Sequence, residues 1–573
     1  MGLHYMNKYI SLFLFLTILA GCTGKSFKHD SFSIVDHEIT ADSGMVVSAH
    51  PQSSAIGIKI MQKGGNAIDA AVATEFALAV CYPEAGNIGG GGFMVIRTSD
   101  GKSDVIDYRE RAPLHASRNM FLDKTGNVSE GLSTGTQLAS GVPGTVDGLI
   151  TAHGRYGKLS FKEVIQPSID LAENGFILTS EQAQDFNSNR SKFIDRNSSK
   201  IAFVKDSLWK EGDILIQKDL SETLKRIRDY GRDGFYSGKT AHLLLEEMQR
   251  GNGIISEKDL NKYKAVQRIP LTYDYKGYKI ITVPPPSSGG LILIQLLGMT
   301  EAFPMREWGF NSFKTIQLMV EAERRAFADR SEFMGDPEFM QISVNQLVNK
   351  EYLISRMKSF DEKHATPSFQ IMHGTPERHE SEETTHYSVV DSEGNAVSVT
   401  TTLNDTFGNS IVVDSAGFLL NNQMDDFSIK PGIPNMYGLV GGEINSVQPE
   451  KKMLSSMTPA IVEKDGKLFL VLGSPGGSTI PTSVFQVVVN VIDFGMNIRE
   501  AVDAARFHHQ WLPDLVYFEK NRIDSLIYHN LTNMGYELKA RTSIGRVNAI
   551  MLLPNGRKAS GADKRGNNSA RGY

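Results

Sequence analysis

Thr384-Thr385-His386-Tyr387-Ser388-Val389-Val390-Asp391, with Thr402-Leu403-Asn404 just downstream, is the stretch on which the reading of this chain turns. It follows a charged, strand-poor run and reads as the first strand of a β-hairpin. Val390 ends an apolar strand, Asp391-Ser392-Glu393-Gly394-Asn395 is a turn cluster, and alternation resumes from Ala396 to Leu403. Two threonines entering a strand are ordinary β-branched residues at home in a sheet. They also suit a self-cleaving enzyme. Cutting the Glu383–Thr384 bond would give Thr384 a free α-amino group beside its own hydroxyl. With a reference pKa of about 8, that amine can take the hydroxyl proton near neutral pH. One residue would then supply both nucleophile and base.

The segment before the threonines has linker chemistry. It opens with Asp361-Glu362-Lys363-His364 and closes with Thr375-Pro376-Glu377-Arg378-His379-Glu380-Ser381-Glu382-Glu383, polar and charged with little to bury. His364, His373 and His379 are irregularly spaced in this solvated run and form no metal-ligand pattern. Beyond Thr384 the chain is rich in strands. Ala460 to Lys464 and Lys467 to Leu472 flank Asp465-Gly466, a hairpin signal. Gly473-Ser474-Pro475-Gly476-Gly477-Ser478 then precedes a helix expected over Thr482 to Ile492. Gly-rich backbone at a helix start is either an anion site made of N–H groups or a plain tight turn.

Toward the N-terminus, Ala55 to Lys63 and the Ala-rich Ala67 to Val80 read as helices separated by the stop Gly64-Gly65-Asn66. Gly89-Gly90-Gly91-Gly92 precedes a strand, Phe93 to Arg97. Its spacing fits no phosphate cradle, so close backbone packing is the expectation. Ser237-Gly238-Lys239-Thr240 lacks the earlier glycine of a P-loop, since Asp233 stands there, and reads as an ordinary helix start. Helices are expected over Phe161 to Asn174 (interrupted near Pro167), Ala241 to Arg250, Leu291 to Ala302 and Ile316 to Ala328. The last carries Glu323-Arg324-Arg325, which reads as a solvated face.

The 573 residues, 40% hydrophobic and 9% aromatic, suffice for a large layered core, and a net charge of −5 gives no support to nucleic-acid binding. Lys8, the apolar run Tyr9 to Ala20 and the small residues before Cys22 form a secretory-signal pattern. At about 1.5 Å per residue the run is too short for a bilayer core of about 30 Å. Leu19-Ala20-Gly21-Cys22 resembles the bacterial lipobox. That resemblance implies a leader over 1–21, lipidation at Cys22, a polar tether over 22–41, and export to the periplasmic or cell-envelope side with a membrane anchor. Cys81, in the apolar context Ala79-Val80-Cys81-Tyr82, reads as a buried hydrophobe.

Taken together, the chain resembles the γ-glutamyltranspeptidase family of N-terminal nucleophile hydrolases. The matching segments include Gly64-Gly65-Asn66-Ala67-Ile68-Asp69-Ala70-Ala71, Asp107-Tyr108-Arg109-Glu110, Gly141-Val142-Pro143-Gly144 and Thr384 to Asp391. They continue through Asn421-Asn422-Gln423-Met424-Asp425-Asp426-Phe427, Leu454-Ser455-Ser456-Met457 and Arg506-Phe507-His508-His509-Gln510-Trp511.

The resemblance implies an α+β fold, a four-layer αββα sandwich built jointly from two chains. These are a large one over 42–383 and a small one over 384–573, which stay together as a heterodimer after self-cleavage. It implies attack on glutathione and other γ-glutamyl amides through a γ-glutamyl ester on Thr384, with water, amino acids or dipeptides as acceptors and no cofactor. Thr402 matches the threonine that orients the nucleophile, and Gly476 and Gly477 match the oxyanion donors. Arg109, Ser455 and Ser456 match the α-carboxylate binders, where a planar guanidinium can grip in two places. Asn404, Gln423 and Asp426 match the α-amino binders. Residue type alone would equally admit Arg111 and Asp425, and surface ion pairs are the plain alternative for all four charges. Pro431 to Gly442 resembles a lid loop with Tyr437 as its closing side chain. Two other functions fit the same fold: a glutaryl or cephalosporin acylase, and a lipoprotein that binds peptides without chemistry.

Overall fold

The hairpin at Thr384 forms as its pattern requires. Thr385–Val390 pairs antiparallel with Ala396–Thr402, from Thr385 opposite Thr401 to Val390 opposite Ala396. Asp391 closes the turn. Its N–H donates to the Asn395 carbonyl at 3.1 Å, and its Oδ1 accepts from the backbone N–H groups of Glu393 and Asn395 at 2.9 Å each. The computed structural model describes residues 38–340, 342–371 and 384–573. The leader, Cys22 and Glu383 lie outside the described residues.

The hairpin sits at the centre of a seven-stranded antiparallel sheet. Its order is Ser569–Gly572, Met45–Ser48, Thr385–Val390, Ala396–Thr402, Gly91–Arg97, Ser103–Asp107 and Val266–Arg268. A second antiparallel seven-stranded sheet runs Thr40–Ala41, Lys558–Ala562, Asn548–Leu552, Lys467–Gly473, Ala460–Lys464, Tyr278–Thr282 and Leu271–Tyr275. Met45, Val47, Phe93, Val95, Ile281, Val390, Ile461, Val471 and Ile550 fill the space between the sheets. Helices Pro51–Gln62, Ala67–Cys81, Thr145–Tyr156 and Phe161–Asn174 share a core with the first sheet's other face. Gly289–Thr300, Phe313–Phe333 and Ile480–Ile492 do the same for the second. The result is the four-layer αββα sandwich. Both sheets draw strands from both sides of Thr384, so a cut there leaves the two pieces interleaved. Among the described residues no helix is long and apolar enough to cross a membrane.

Several details depart from the sequence pattern. Thr40–Ala41 already pairs with Ala559 and Lys558, so the packed chain begins ahead of the tether boundary at Ala41. Phe161–Asn174 runs unbroken through Pro167, started by a capping box between Ser160 and Glu163. The Glu323-Arg324-Arg325 face is buried, not solvated. Arg325 pairs with Glu321 at 2.6 Å and donates to the Arg356 carbonyl at 2.8 Å, Arg324 pairs with Asp514, and Glu323 accepts the His509 N–H at 2.7 Å. Most of these partners come from distant segments, which no local pattern reveals. The four glycines do mark close packing. A Cβ on Gly89 would lie 2.1 Å from the Leu419 carbonyl oxygen, and one on Gly90 2.1 Å from that of Thr402. Cys81 is buried, and burial pushes its thiol up.

Glu75, on Ala67–Cys81, is buried beneath the hairpin near Thr401 and Tyr387, and burial pushes its carboxyl from 4.5 up to about 8. Between those pH values the folded chain keeps a proton that the unfolded chain has released, so stability falls as pH rises through that window. The accumulated loss is on the order of a few kcal/mol. Glu75→Gln is therefore expected to melt a few degrees above wild type at pH 9 and to show no such gain at pH 4. Equal melting differences at both pH values in a calorimetric series would contradict this.

Candidate active site

Alternation along the hairpin separates the two threonines. Thr384, His386 and Ser388 share one face, and Thr385 and Tyr387 share the other. Thr385 Oγ1 is buried without a hydrogen-bond partner. Thr384 Oγ1 lies 3.5 Å from Thr402 Oγ1. Thr402 Oγ1 also accepts the Asn404 N–H at 2.8 Å. With that lone pair taken, the Thr402 hydroxyl can direct its proton toward Thr384. His386, on the same face, is held by Thr400 Oγ1 at 3.0 Å and Ser388 Oγ at 3.1 Å. Burial pushes its imidazole down to about 3, so it stays neutral and engaged.

The second sheet brings up the glycine loop. Strand Lys467–Gly473 packs against the hairpin so closely that a Cβ on Gly473 would lie 2.4 Å from the His386 ring. The chain then turns through Gly476 (φ 130°) and Gly477 (φ 50°), left-handed conformations that glycine adopts without the Cβ clash. The Gly476 carbonyl accepts from the Thr479 N–H at 2.8 Å, closing the short turn that leads into Ile480–Ile492.

The loop 431–442 folds over this point, pinned by the Pro434–Val440 bridge and the Gly442 N–H to Ser331 carbonyl bond at 2.9 Å. Tyr437 is 4% exposed. Its ring lies against Gly477, where a Cβ would come within 2.8 Å, and its hydroxyl donates to the Asn404 carbonyl. Asn404 itself has φ 82°, a left-handed position that asparagine tolerates better than most residues.

The charged groups converge beside this loop. The Asn404 amide donates to the Asn422 carbonyl at 3.1 Å. Gln423, on the short Gln423–Asp426 turn, donates Nε2 to Asp426 Oδ2 at 2.7 Å, and its Oε1 is buried without a partner. Asp426 pairs with Arg109, whose side chain is fully buried while that of Asp426 is 12% exposed. Arg109 also reaches the Met453 carbonyl at 3.3 Å, just ahead of Ser455 and Ser456. The Ser455 hydroxyl accepts the Met457 N–H at 3.0 Å. Surface ion pairing is thus ruled out for Arg109 and Asp426. Asp425 points elsewhere. Its buried carboxylate accepts from Ser133 Oγ at 2.7 Å and from the Met436 N–H at 2.9 Å, anchoring the 431–442 loop, and burial pushes it up to about 6.

Comparison with known proteins agrees with this arrangement. The Gamma-glutamyltranspeptidase family model matches residues 53–573. The chain belongs to the γ-glutamyltranspeptidase family. It is 47% identical to the glutathione hydrolase proenzyme of Escherichia coli strain K12, covering 93% of this chain and 92% of that one. Among solved structures it resembles a cephalosporin acylase from Bacillus halodurans, with a TM-score of 0.84 at 26% identity, covering 94% of this chain and 97% of that one. It also resembles the Helicobacter pylori γ-glutamyltranspeptidase, with a TM-score of 0.57 at 44% identity. That match covers 61% of this chain and 99% of the other.

Around this candidate site of the γ-glutamyltranspeptidase chain lie residues that sequence reasoning did not single out. Arg330 is buried beside Arg109 and Asp426. Its Nε donates to Ser288 Oγ at 3.0 Å and its Nη2 approaches Ser456 Oγ at 3.5 Å, and burial pushes it down to about 10. Glu110 is buried against Arg109 at 3.4 Å, and burial pushes its carboxyl up to about 7. Gln510 ties three parts together. Its Nε2 donates to the Tyr437 carbonyl at 3.2 Å, and its Oε1 meets Ser478 Oγ at 2.7 Å and His508 Nε2 at 3.0 Å. Arg330 lies past Ala328, where the sequence reading ended this helix, whereas the helix runs on to Phe333. Gln510 stood inside a matched motif, but only the fold shows what it bridges.

Proposed function

We propose that Thr384, freed by cleavage after Glu383, is the nucleophile of this γ-glutamyltransferase. The chain is a γ-glutamyltransferase and glutathione hydrolase by its family. The observation that carries the assignment of residues is the ion pair of the buried Arg109 with the partly exposed Asp426, with the unpartnered Gln423 Oε1 beside them. A zwitterionic glutamyl end fits this pair: its carboxylate takes Arg109 with Ser455 and Ser456, and its ammonium takes Asp426, Gln423 and Asn404. A glutaryl group has no ammonium to offer them.

In maturation the Thr384 hydroxyl adds to the Glu383 carbonyl, the Glu383–Thr384 amide bond breaks, and water opens the resulting ester. In turnover the α-amino group of Thr384 takes the hydroxyl proton as Oγ1 bonds to the γ-carbonyl carbon. The N–H groups of Gly476 and Gly477 hold the developing oxyanion, where one such donor is worth about 10²–10³ in turnover. The proton passes to the departing amine as its bond to carbon breaks. Water or an incoming amine then attacks the ester, and Thr384 regains its proton. Thr402 orients the hydroxyl, and the lid with Tyr437 shields the acyl-enzyme.

Side-by-side hydrolysis of γ-glutamyl and glutaryl anilides tests this. A preference for the γ-glutamyl compound of about a hundredfold or more is expected from the ion pair at stake. Equal or better turnover of the glutaryl compound would favour the acylase reading. The same proposal places the enzyme outside the cytoplasm, held to a membrane by lipid on Cys22, with the two chains remaining a heterodimer. Mass spectrometry of the mature N-terminus checks the anchor, and an unmodified residue there would remove it.

A further inference from the structure

Arg330, on the helix Phe313–Phe333, is 5% exposed and forms no ion pair with a carboxylate among the described residues. Its neighbours on the helix are matched: Arg325 with Glu321, Arg324 with Asp514, and Asp329 with Arg356 at 3.0 Å. The acid whose field reaches Arg330 is Asp426, and that carboxylate is already taken by Arg109. A buried charge without a partner is costly, so an unpaired guanidinium beside a site marks a place where an anion is expected.

What Arg330 holds is a pair of hydroxyls. Its Nε donates to Ser288 Oγ at 3.0 Å, and Ser288 Oγ donates its own proton to the Ser455 carbonyl at 2.7 Å. The Ser288 N–H donates to the same carbonyl at 2.8 Å, and the Ser455 N–H donates to the Pro286 carbonyl at 2.9 Å. One guanidinium thus ties the short parallel bridge of Ser287 and Ser455 to the helix. Its other arm, Nη2, approaches Ser456 Oγ at 3.5 Å. A hydroxyl has one proton and two lone pairs. Ser455 Oγ accepts the Met457 N–H at 3.0 Å, and Ser456 Oγ faces the guanidinium. Each serine therefore meets a donor on the protein side and can turn its proton to an acceptor in the site. Two hydroxyl protons with a cation behind them suit a carboxylate.

We propose that Arg330 is a positioning residue for γ-glutamyl transfer: it aims the Ser455 and Ser456 hydroxyls at the substrate α-carboxylate and supplies a second positive charge behind them. This rests on the γ-glutamyl-transfer reading above and adds to it a residue that touches no substrate atom. Arg109 is paired with Asp426 before any substrate arrives, so Arg109 is not the whole of the attraction for the carboxylate. Once the zwitterion is bound, its ammonium takes up Asp426, and its carboxylate has Arg109 on one side and Arg330 behind the serines. The enzyme then separates a free α-carboxylate from an α-carboxamide more sharply than Arg109 alone allows.

The test compares two donors on the self-processed enzyme, γ-glutamyl anilide and its α-carboxamide. Wild type is expected to favour the acid. Arg330→Gln should lower the acid-to-amide ratio of kcat/KM by about tenfold or more, the scale of one hydrogen bond to a charged group, chiefly through the KM of the acid. Arg330→Lys keeps the charge without the two-armed grip and should recover part of the ratio. Ser456→Ala should cost far less in the Arg330→Gln background than in wild type, because both changes remove one shared contact. Should Arg330→Gln fail to cut itself into two bands, Arg330→Lys carries the test, with a ratio lowered severalfold. Equal losses on acid and amide, an unmoved ratio, or additive effects of the Arg330 and Ser456 changes would leave Arg330 a packing residue and overturn the proposal. A wild type that releases no aniline, or that does not favour the acid, would instead overturn the γ-glutamyl reading, and this proposal with it.

Discussion

Thr384→Ala is expected to yield a single uncut chain with activity on a γ-glutamyl anilide lowered by about 10⁴-fold or more, the scale of losing a catalytic nucleophile. Wild type should show two bands on a denaturing gel. Thr384→Ser keeps a hydroxyl and should still cut itself, more slowly. Thr385→Ala is the informative contrast. Its side chain faces away from Thr402, on the side of the sheet that Glu75 and Tyr387 occupy. It should therefore still cut and still turn over. Cleavage of the Thr384→Ala chain would move the nucleophile to another residue, and an uncut wild type without turnover would leave only the fold without its chemistry.

The second large effect is expected from Asp426→Asn. The change keeps the shape of the side chain and removes its charge from a guanidinium that is fully buried. Arg330 stands close by as a second buried cation. Breaking a buried pair by neutralising one partner costs about 3–5 kcal/mol, so kcat/KM for a γ-glutamyl anilide should fall by about 10³-fold. The glutaryl anilide has no ammonium to lose, and its turnover should fall far less. Self-cleavage does not draw on the amino pocket and should persist, giving two bands from a weakly active enzyme. A comparable loss on both anilides would mean that Asp426 only supports the fold.

Much of the site was legible because its parts lie in short, ordered segments. The hairpin of Thr384 follows from alternation and a turn cluster, and the glycine loop follows from its place before a helix. What the pattern misjudged were charges. Glu323, Arg324 and Arg325 look like a solvated helix face, yet their partners include Asp514 and the backbone of His509, far along the chain. Asp425 and Asp426 are adjacent and alike in sequence. In the fold one anchors the 431–442 loop through Met436 and the other meets Arg109.

The sequence by itself determined the hairpin, its two candidate threonines, the linker before them and the family whose chemistry they match. These rest on local spacing, which the chain carries wherever it goes. The resemblance and strand alternation already single out Thr384 over Thr385, and the tertiary structure adds the 3.5 Å approach of its hydroxyl to that of Thr402. The tertiary structure alone brought Arg109 to Asp426, Gln510 to the 431–442 loop, and Arg330 to Ser288 and Ser456. Those contacts join segments of both sheets and of both sides of the cleavage point. Burial there fixes partners by position in the packed core, which no local pattern encodes.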